Sequence, residues 1–144
     1  MSISAGYNHC LAAKADGSVF GWGDNSSGQI GIDPGIDCWI IDAPVQIGGL
    51  ADVSALSGGF FHSLALASDR TVLSWGFDYD SGTLQLVPSP VAGLSGIISI
   101  ATGFDHSLSL GSDGNLWAWG FNTYGQLGDG STAFSAVPVQ VVFP

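Results

Sequence analysis

Basic side chains are nearly missing from this chain. Lys14 and Arg70 stand alone against twelve acidic residues, all aspartate, and the formal net charge is −10. Nucleic-acid affinity comes mainly from Lys and Arg neutralising phosphates, so two basic residues all but exclude a nucleic-acid binder. An anionic membrane surface is disfavoured on the same ground. No apolar run approaches the roughly 20 residues of a membrane helix. The opening MSISAGYNH has neither a basic start nor a long apolar stretch, so it reads as lacking a signal peptide. The compartment is otherwise unmarked. Two cysteines, Cys10 and Cys38, are too few for a disulfide framework and fit neither a paired metal site nor a redox motif. Charged residues are scarce at 10%, whereas 46% of the chain is hydrophobic. A disordered chain would show the opposite balance. With 144 residues, the length suits one domain with a real core.

What the chain has is a repeat. The segments AGYNHCLAAKADGSVFGWG, GGFFHSLALASDRTVLSWG and TGFDHSLSLGSDGNLWAWG share four features at fixed spacing. These are Gly6, His9, Asp16 and Trp22, then Gly59, His62, Asp69 and Trp75, then Gly103, His106, Asp113 and Trp119. Successive copies are offset by 53 and 44 residues, so the slack lies between the anchors. Self-similarity on this scale marks a repeat architecture. HSLAL and HSLSL alternate polar and apolar residues, as half-buried strands do. VFGWG, VLSWG and LWAWG are rich in the aromatic and branched residues that strands favour. Between them, Asp-Gly supplies the positive φ angle of a tight hairpin. Arg70 replaces that glycine in the second copy, where a strained or different turn is expected. A further short strand precedes each His. A fourth is expected at PVQIGGL from Pro44, PVAGL from Pro90 and PVQV from Pro138, since proline suits an outer edge. No segment carries a capped helical pattern.

Four short strands in about 50 residues describe a propeller blade. The anchor G-x-x-H-S-L-A-L, the Asp-Gly turn, the Trp-Gly pair and the Gly-Gln-[Leu/Ile]-Gly loops at Gly28–Gly31 and Gly125–Gly128 resemble the regulator of chromosome condensation repeat family. The resemblance implies an all-β fold of three four-stranded antiparallel blades, a partial propeller or one completed by oligomerisation. The expected units are residues 2–52, 53–96 and 97–144. The second unit departs from the pattern, reading GFDYDSGTLQLVPSP after Trp75 with no Gly-Gln-Leu-Gly. The three tryptophans occupy one repeated position and are expected to be buried between strands or blades.

The same residues can be weighed as chemistry. Three histidines could be metal ligands, but equivalent positions on successive blades spread around an axis, so each is expected to bond within its own blade. Asp16, Asp69 and Asp113 are explained by their turns. DYDSG (residues 78–82) hints at calcium but lacks the remaining ligands of a calcium loop. GWGDNSSG follows no phosphate-loop spacing, and no serine sits in a nucleophile elbow. Catalytic residues, metal and cofactors are therefore not expected. Asn25-Ser26-Ser27 matches a glycosylation acceptor, relevant only in a secreted eukaryotic protein. Cys10 stands where the other copies carry serine and reads as a small buried residue.

One stretch breaks the repeat: IDPGIDCWIIDA, residues 32–43, read as a loop. Its Ile36, Trp39, Ile40 and Ile41 are either a protein contact surface or a cover over the edge of their own blade, the simpler reading. Three blades also leave two apolar flanks, expected near Val19 and Phe20 at one end and Trp117, Val139 and Val141 at the other. The flanks could be met by a longer ring, by pairing into six blades, or by an open stack. The expected function is a non-catalytic protein-interaction module, because the resemblance implies propellers that act through surface contacts as exchange factors, inhibitors or light sensors. No contact loop matches well enough to carry over exchange activity. The alternative is a self-assembling structural protein.

Overall fold

The computed structural model describes residues 1–33, 39–78 and 82–144, which hold twelve strands and no helix. The first blade comprises β1 (Ser2–Ala5), β2 (His9–Ala13), β3 (Val19–Asp24) and β4 (Ile40–Gln46). The second comprises β5 (Val53–Gly58), β6 (His62–Ala67), β7 (Val72–Asp78) and β8 (Thr83–Pro90). The third comprises β9 (Ile97–Thr102), β10 (His106–Gly111), β11 (Leu116–Gly120) and β12 (Ser135–Gln140). Each forms one four-stranded sheet in which every strand pairs antiparallel with its chain neighbour.

The central hairpins superpose in register. Trp22 faces Cys10, Trp75 faces Ser63, and Trp119 faces Ser107. The aspartate of each turn accepts the amide two residues on, at Ser18, Thr71 and Asn115, at 2.9–3.0 Å. The residue between has φ of +84° at Gly17, +70° at Arg70 and +86° at Gly114. Arg70 thus keeps the shared turn and takes the strain, rather than changing the turn type.

The fourth strand begins before the point expected from the prolines. Ile40 and Ile41 pair with Asp24 and Gly23, so they belong to a strand and not to a loop. In all three blades the outer pairing shifts register opposite the tryptophan strand. Pro44, Pro88 and Pro138 occupy equivalent places in that bulge, where a missing N–H donor leaves no ladder bond unmade. Pro88 holds this place in the second blade; Pro90 pairs with Leu73 at the strand's end.

Strand alternation sends each blade's two faces to different neighbours. Leu11, Ala13, Val19 and Ile47 of the first blade pack on Leu56, Ala65 and Trp75 of the second. Leu64, Leu66 and Val72 of the second pack with Ile97 and Trp119 of the third, and Trp117 joins them. Val19 and Trp117 therefore lie in the inter-blade cores, not on the flanks. Phe20 does lie on the leading flank, with Cys10, Ala12 and Trp22, all partly exposed. Leu108, Leu110 and Leu116 occupy the corresponding trailing positions, also partly exposed. A one-residue offset along a strand exchanges the faces, which is why adjacent residues were assigned to the wrong side. Trp75 and Trp119 are buried, whereas Trp22, on the outer face of the three-blade segment, is half-buried.

Arg70→Gly should raise stability. Removing a side chain from the left-handed region recovers about 1–2 kcal/mol, against which glycine's added unfolded-state freedom costs about 0.5–1 kcal/mol. A net gain of roughly 0.5–1 kcal/mol in urea unfolding is expected; a loss of stability would show that the turn is not strained.

Candidate functional site

The seam between the first two blades is a line of hydrogen bonds. His9 Nε2 lies 2.8 Å from Ser63 Oγ, Ser63 Oγ donates to the Gln29 carbonyl at 2.7 Å, and Trp75 Nε1 donates to the same carbonyl at 2.9 Å. Since the serine proton goes to Gln29, His9 must donate from Nε2 and leave Nδ1 bare. His9 Nδ1 is indeed buried without a partner. The histidine thus bonds to the next blade, not within its own as expected. His62 repeats the contact with Ser107 at 3.0 Å.

Local sequence explains the loop that delivers this carbonyl. Asn25, fully buried, accepts from Ile30 N–H and donates to the Ile32 carbonyl. Asn122 does the same work in the third blade, accepting from Leu127 N–H and donating to the Ala133 carbonyl. An Asn25 with both ends of its amide bonded and no exposure offers nothing for glycosylation. Gly31 lets Trp75 approach, because a Cβ there would stand 2.8 Å from the indole nitrogen. Gly6, Gly59 and Gly103 serve the histidines: each N–H donates to the carbonyl of its His at 2.8 Å, and a Cβ on any of them would collide with the imidazole. The Gly-x-x-His spacing is therefore a steric requirement.

The histidines show no convergence on a metal, and the described residues contain no group of three or more possible ligands. Burial pushes the pKa of His9 down to about 4, opposed by nearby Asp24. Burial does the same to His62, also down to about 4, opposed by Asp78. His106 is lowered for the same reason. Asp16, Asp69 and Asp113 are held below the usual carboxylate value by their turn hydrogen bonds. These shifts follow from packing between blades and from turn geometry. Within DYDSG, Tyr79, Asp80 and Ser81 lie outside the described residues.

Two exposed apolar features bear on partner contact. Of the insert, Trp39 is 51% and Ile40 68% exposed, Ile41 is half-buried, and Ile36 lies outside the described residues. The residue after each anchor glycine forms a second feature that the repeat analysis missed: Tyr7, Phe60 and Phe104. Phe60 stacks on Phe104 with ring centroids 4.0 Å apart and lies 4.3 Å from Tyr7. The backbone N–H of Tyr7 donates to Gly59, and that of Phe60 to Phe104, tying successive blades together beneath the rings. The signal was an aromatic at the same place in all three copies. Cys10 is a free thiol, partly exposed on the leading flank rather than buried.

Three antiparallel four-stranded blades joined face to face define a propeller arc. The regulator of chromosome condensation (RCC1) repeat profile matches residues 2–29, 53–81 and 97–126, and a second profile of that description matches 16–66 and 113–144. The chain belongs to this repeat family. It is similar to the ultraviolet-B receptor UVR8 of Arabidopsis thaliana, 38% identical over 77 residues, covering 51% of this chain and 17% of the receptor. Among solved structures, human WBSCR16 aligns over 100% of this chain and 40% of its own, at 25% identity and a TM-score of 0.87. Prp20p of Saccharomyces cerevisiae aligns over 98% and 38%, at 24% identity and a TM-score of 0.85. The chain spans less than half the length of each.

Acid should loosen the seam before it touches the turns. The folded-state pKa values of His9 and His62 lie below the ordinary 6.5, so the unfolded chain binds those protons more tightly. Their contribution is full above about pH 6.5, falls as the pH drops toward 4, and levels off below it. For buried His9 the loss is on the order of 3 kcal/mol. Urea unfolding of His9→Gln should show a shallower pH dependence between 6.5 and 4 than wild type. Identical slopes would mean that His9 is not held neutral.

Proposed function

We propose that the chain is a non-catalytic protein-interaction module whose contact surfaces are the outer faces of its three-blade segment and the Tyr7–Phe60–Phe104 cluster. The observation that carries this reading is that each outer face of the segment holds half of a seam. On the leading face Trp22 is half-buried, and Cys10 stands where Ser63 and Ser107 stand in the later blades. By its place in the Gly-Gln-Leu-Gly segment, and by the matching Asn25 and Asn122 hydrogen bonds, the Gln126 carbonyl corresponds to that of Gln29 in the first blade. Neither it nor His106 Nε2 meets a side-chain or loop donor or acceptor among the described residues. Exposed apolar faces rimmed by polar groups suit partners. The related yeast Prp20p, for which binding to Gsp1p and histones is described, supports a protein partner. A net charge of −10 favours neutral or basic protein surfaces and opposes nucleic acid.

The second reading is self-assembly, favoured because the open halves are complementary. The indole of Trp22 is the donor that the Gln126 carbonyl lacks. Head-to-tail contact of that kind gives a ring or an open chain according to its rotation. A longer propeller would cover the same faces from within one polypeptide.

Burial of apolar surface contributes roughly 25 cal/mol per Å², so open faces should drive association. Light scattering at micromolar concentration should find a dimer or larger species, strengthened by salt as it screens the negative charge. A monodisperse 14.7 kDa particle would contradict contact through these faces. Trp39→Ser should weaken association and leave the melting temperature unchanged if the insert joins the contact. A lower melting temperature with association intact would mark it as a cover.

A further inference from the structure

Among the described residues, the second seam has a cavity where the first has a loop. A cavity of about 320 Å³ opens between the second and third blades, lined by His62, Ser74, Phe77, Ser107 and Trp119, among others. In the first seam the corresponding ground is held by Gln29 and Ile30, both buried. The second repeat has no Gly-Gln-Leu-Gly segment to put there. Trp119 and Ser107 occupy the register positions of Trp75 and Ser63. In the first seam those two donors converge on one carbonyl oxygen. In the second, Ser107 Oγ meets His62 Nε2, while among the described residues neither Ser107 nor Trp119 donates to a loop carbonyl.

We propose that this cavity is a binding site for an uncharged peptide segment, with Trp119 Nε1 and Ser107 Oγ seating one backbone carbonyl. The first seam states the ligand's chemistry. Its carbonyl is followed by a branched aliphatic side chain, Ile30, which rests on Gly21. It is then followed by Gly31, which gives the indole room. The same order, an acceptor carbonyl, a small or branched residue and a glycine, is the chemistry inferred for the occupant of the second cavity. Ser74 replaces Gly21 in the wall, narrowing the aliphatic pocket and adding a hydroxyl. Asp78 and Asp105 line the cavity and disfavour an anionic peptide by like-charge repulsion. The site is independent of the open flanks and of what covers them.

The test is a titration of the whole chain with N-acetylated, C-amidated Gly-Gln-Ile-Gly up to about 10 mM, followed through the indole N–H resonances. The Trp119 signal, assigned by its loss in Trp119→Phe, should move saturably while that of Trp75 stays still. Ser107→Ala should weaken the titration about fivefold, the effect of one neutral hydrogen bond. A peptide ending in two aspartates should bind less well. No saturable movement of the Trp119 signal would overturn the proposal, as would a titration unchanged in Ser107→Ala. Movement on raising the protein concentration without peptide would also overturn it, since another copy of the chain would then be the occupant.

Discussion

The Gln29 carbonyl fastens the first blade to the second, and much of the local sequence exists to put it there. It accepts two hydrogen bonds out of contact with water, from Trp75 and Ser63, and the serine is in turn held by His9. A buried donor left without such an acceptor costs about 1–3 kcal/mol, so the three groups stand or fall together. Asn25 shapes the loop, Gly31 clears space for the indole, and Gly6 clears space for the imidazole. The repeated tryptophan motif is thus one half of a joint whose other half lies on the neighbouring blade.

Because each joint needs two blades, its quality varies along the chain. The first is complete, and its aromatic anchor is 1% exposed. The second keeps the histidine–serine contact but, among the described residues, has a cavity in place of the loop, and its tryptophan is 8% exposed. Within this segment the outer faces of the first and third blades each carry half of a joint. Repeat proteins hold together by the sum of blade and interface terms, so these differences bear on both stability and binding. The missing loop is the departure that turns an architectural position into a candidate site.

The blades themselves were legible in the sequence, since hairpin registers follow directly from the His-to-Trp spacing and the aspartate turns. The joints were not. His9 and Ser63 are 54 residues apart, and no local pattern says which blade a repeated side chain will meet. The flanks failed for a different reason: Val19 and Phe20 are adjacent, and a period of two assigns them to opposite faces. The outer strands start earlier than their prolines suggest because proline marks a bulge within the strand as well as its start, and Ile40 and Ile41 are paired ahead of Pro44. Composition gives a net charge of −10, but a net charge names no partner.

The central claim is that a carbonyl joint between blades, rather than generic aromatic burial, holds this arc together. Hydrogen exchange at the indole nitrogens tests it most directly. The account predicts that Trp75 N–H exchanges only with global unfolding, that Trp119 N–H exchanges faster through its cavity, and that Trp22 N–H exchanges fastest of the three. Equal protection at Trp75 and Trp22 would contradict it, because the joint would then add nothing to what each blade achieves alone.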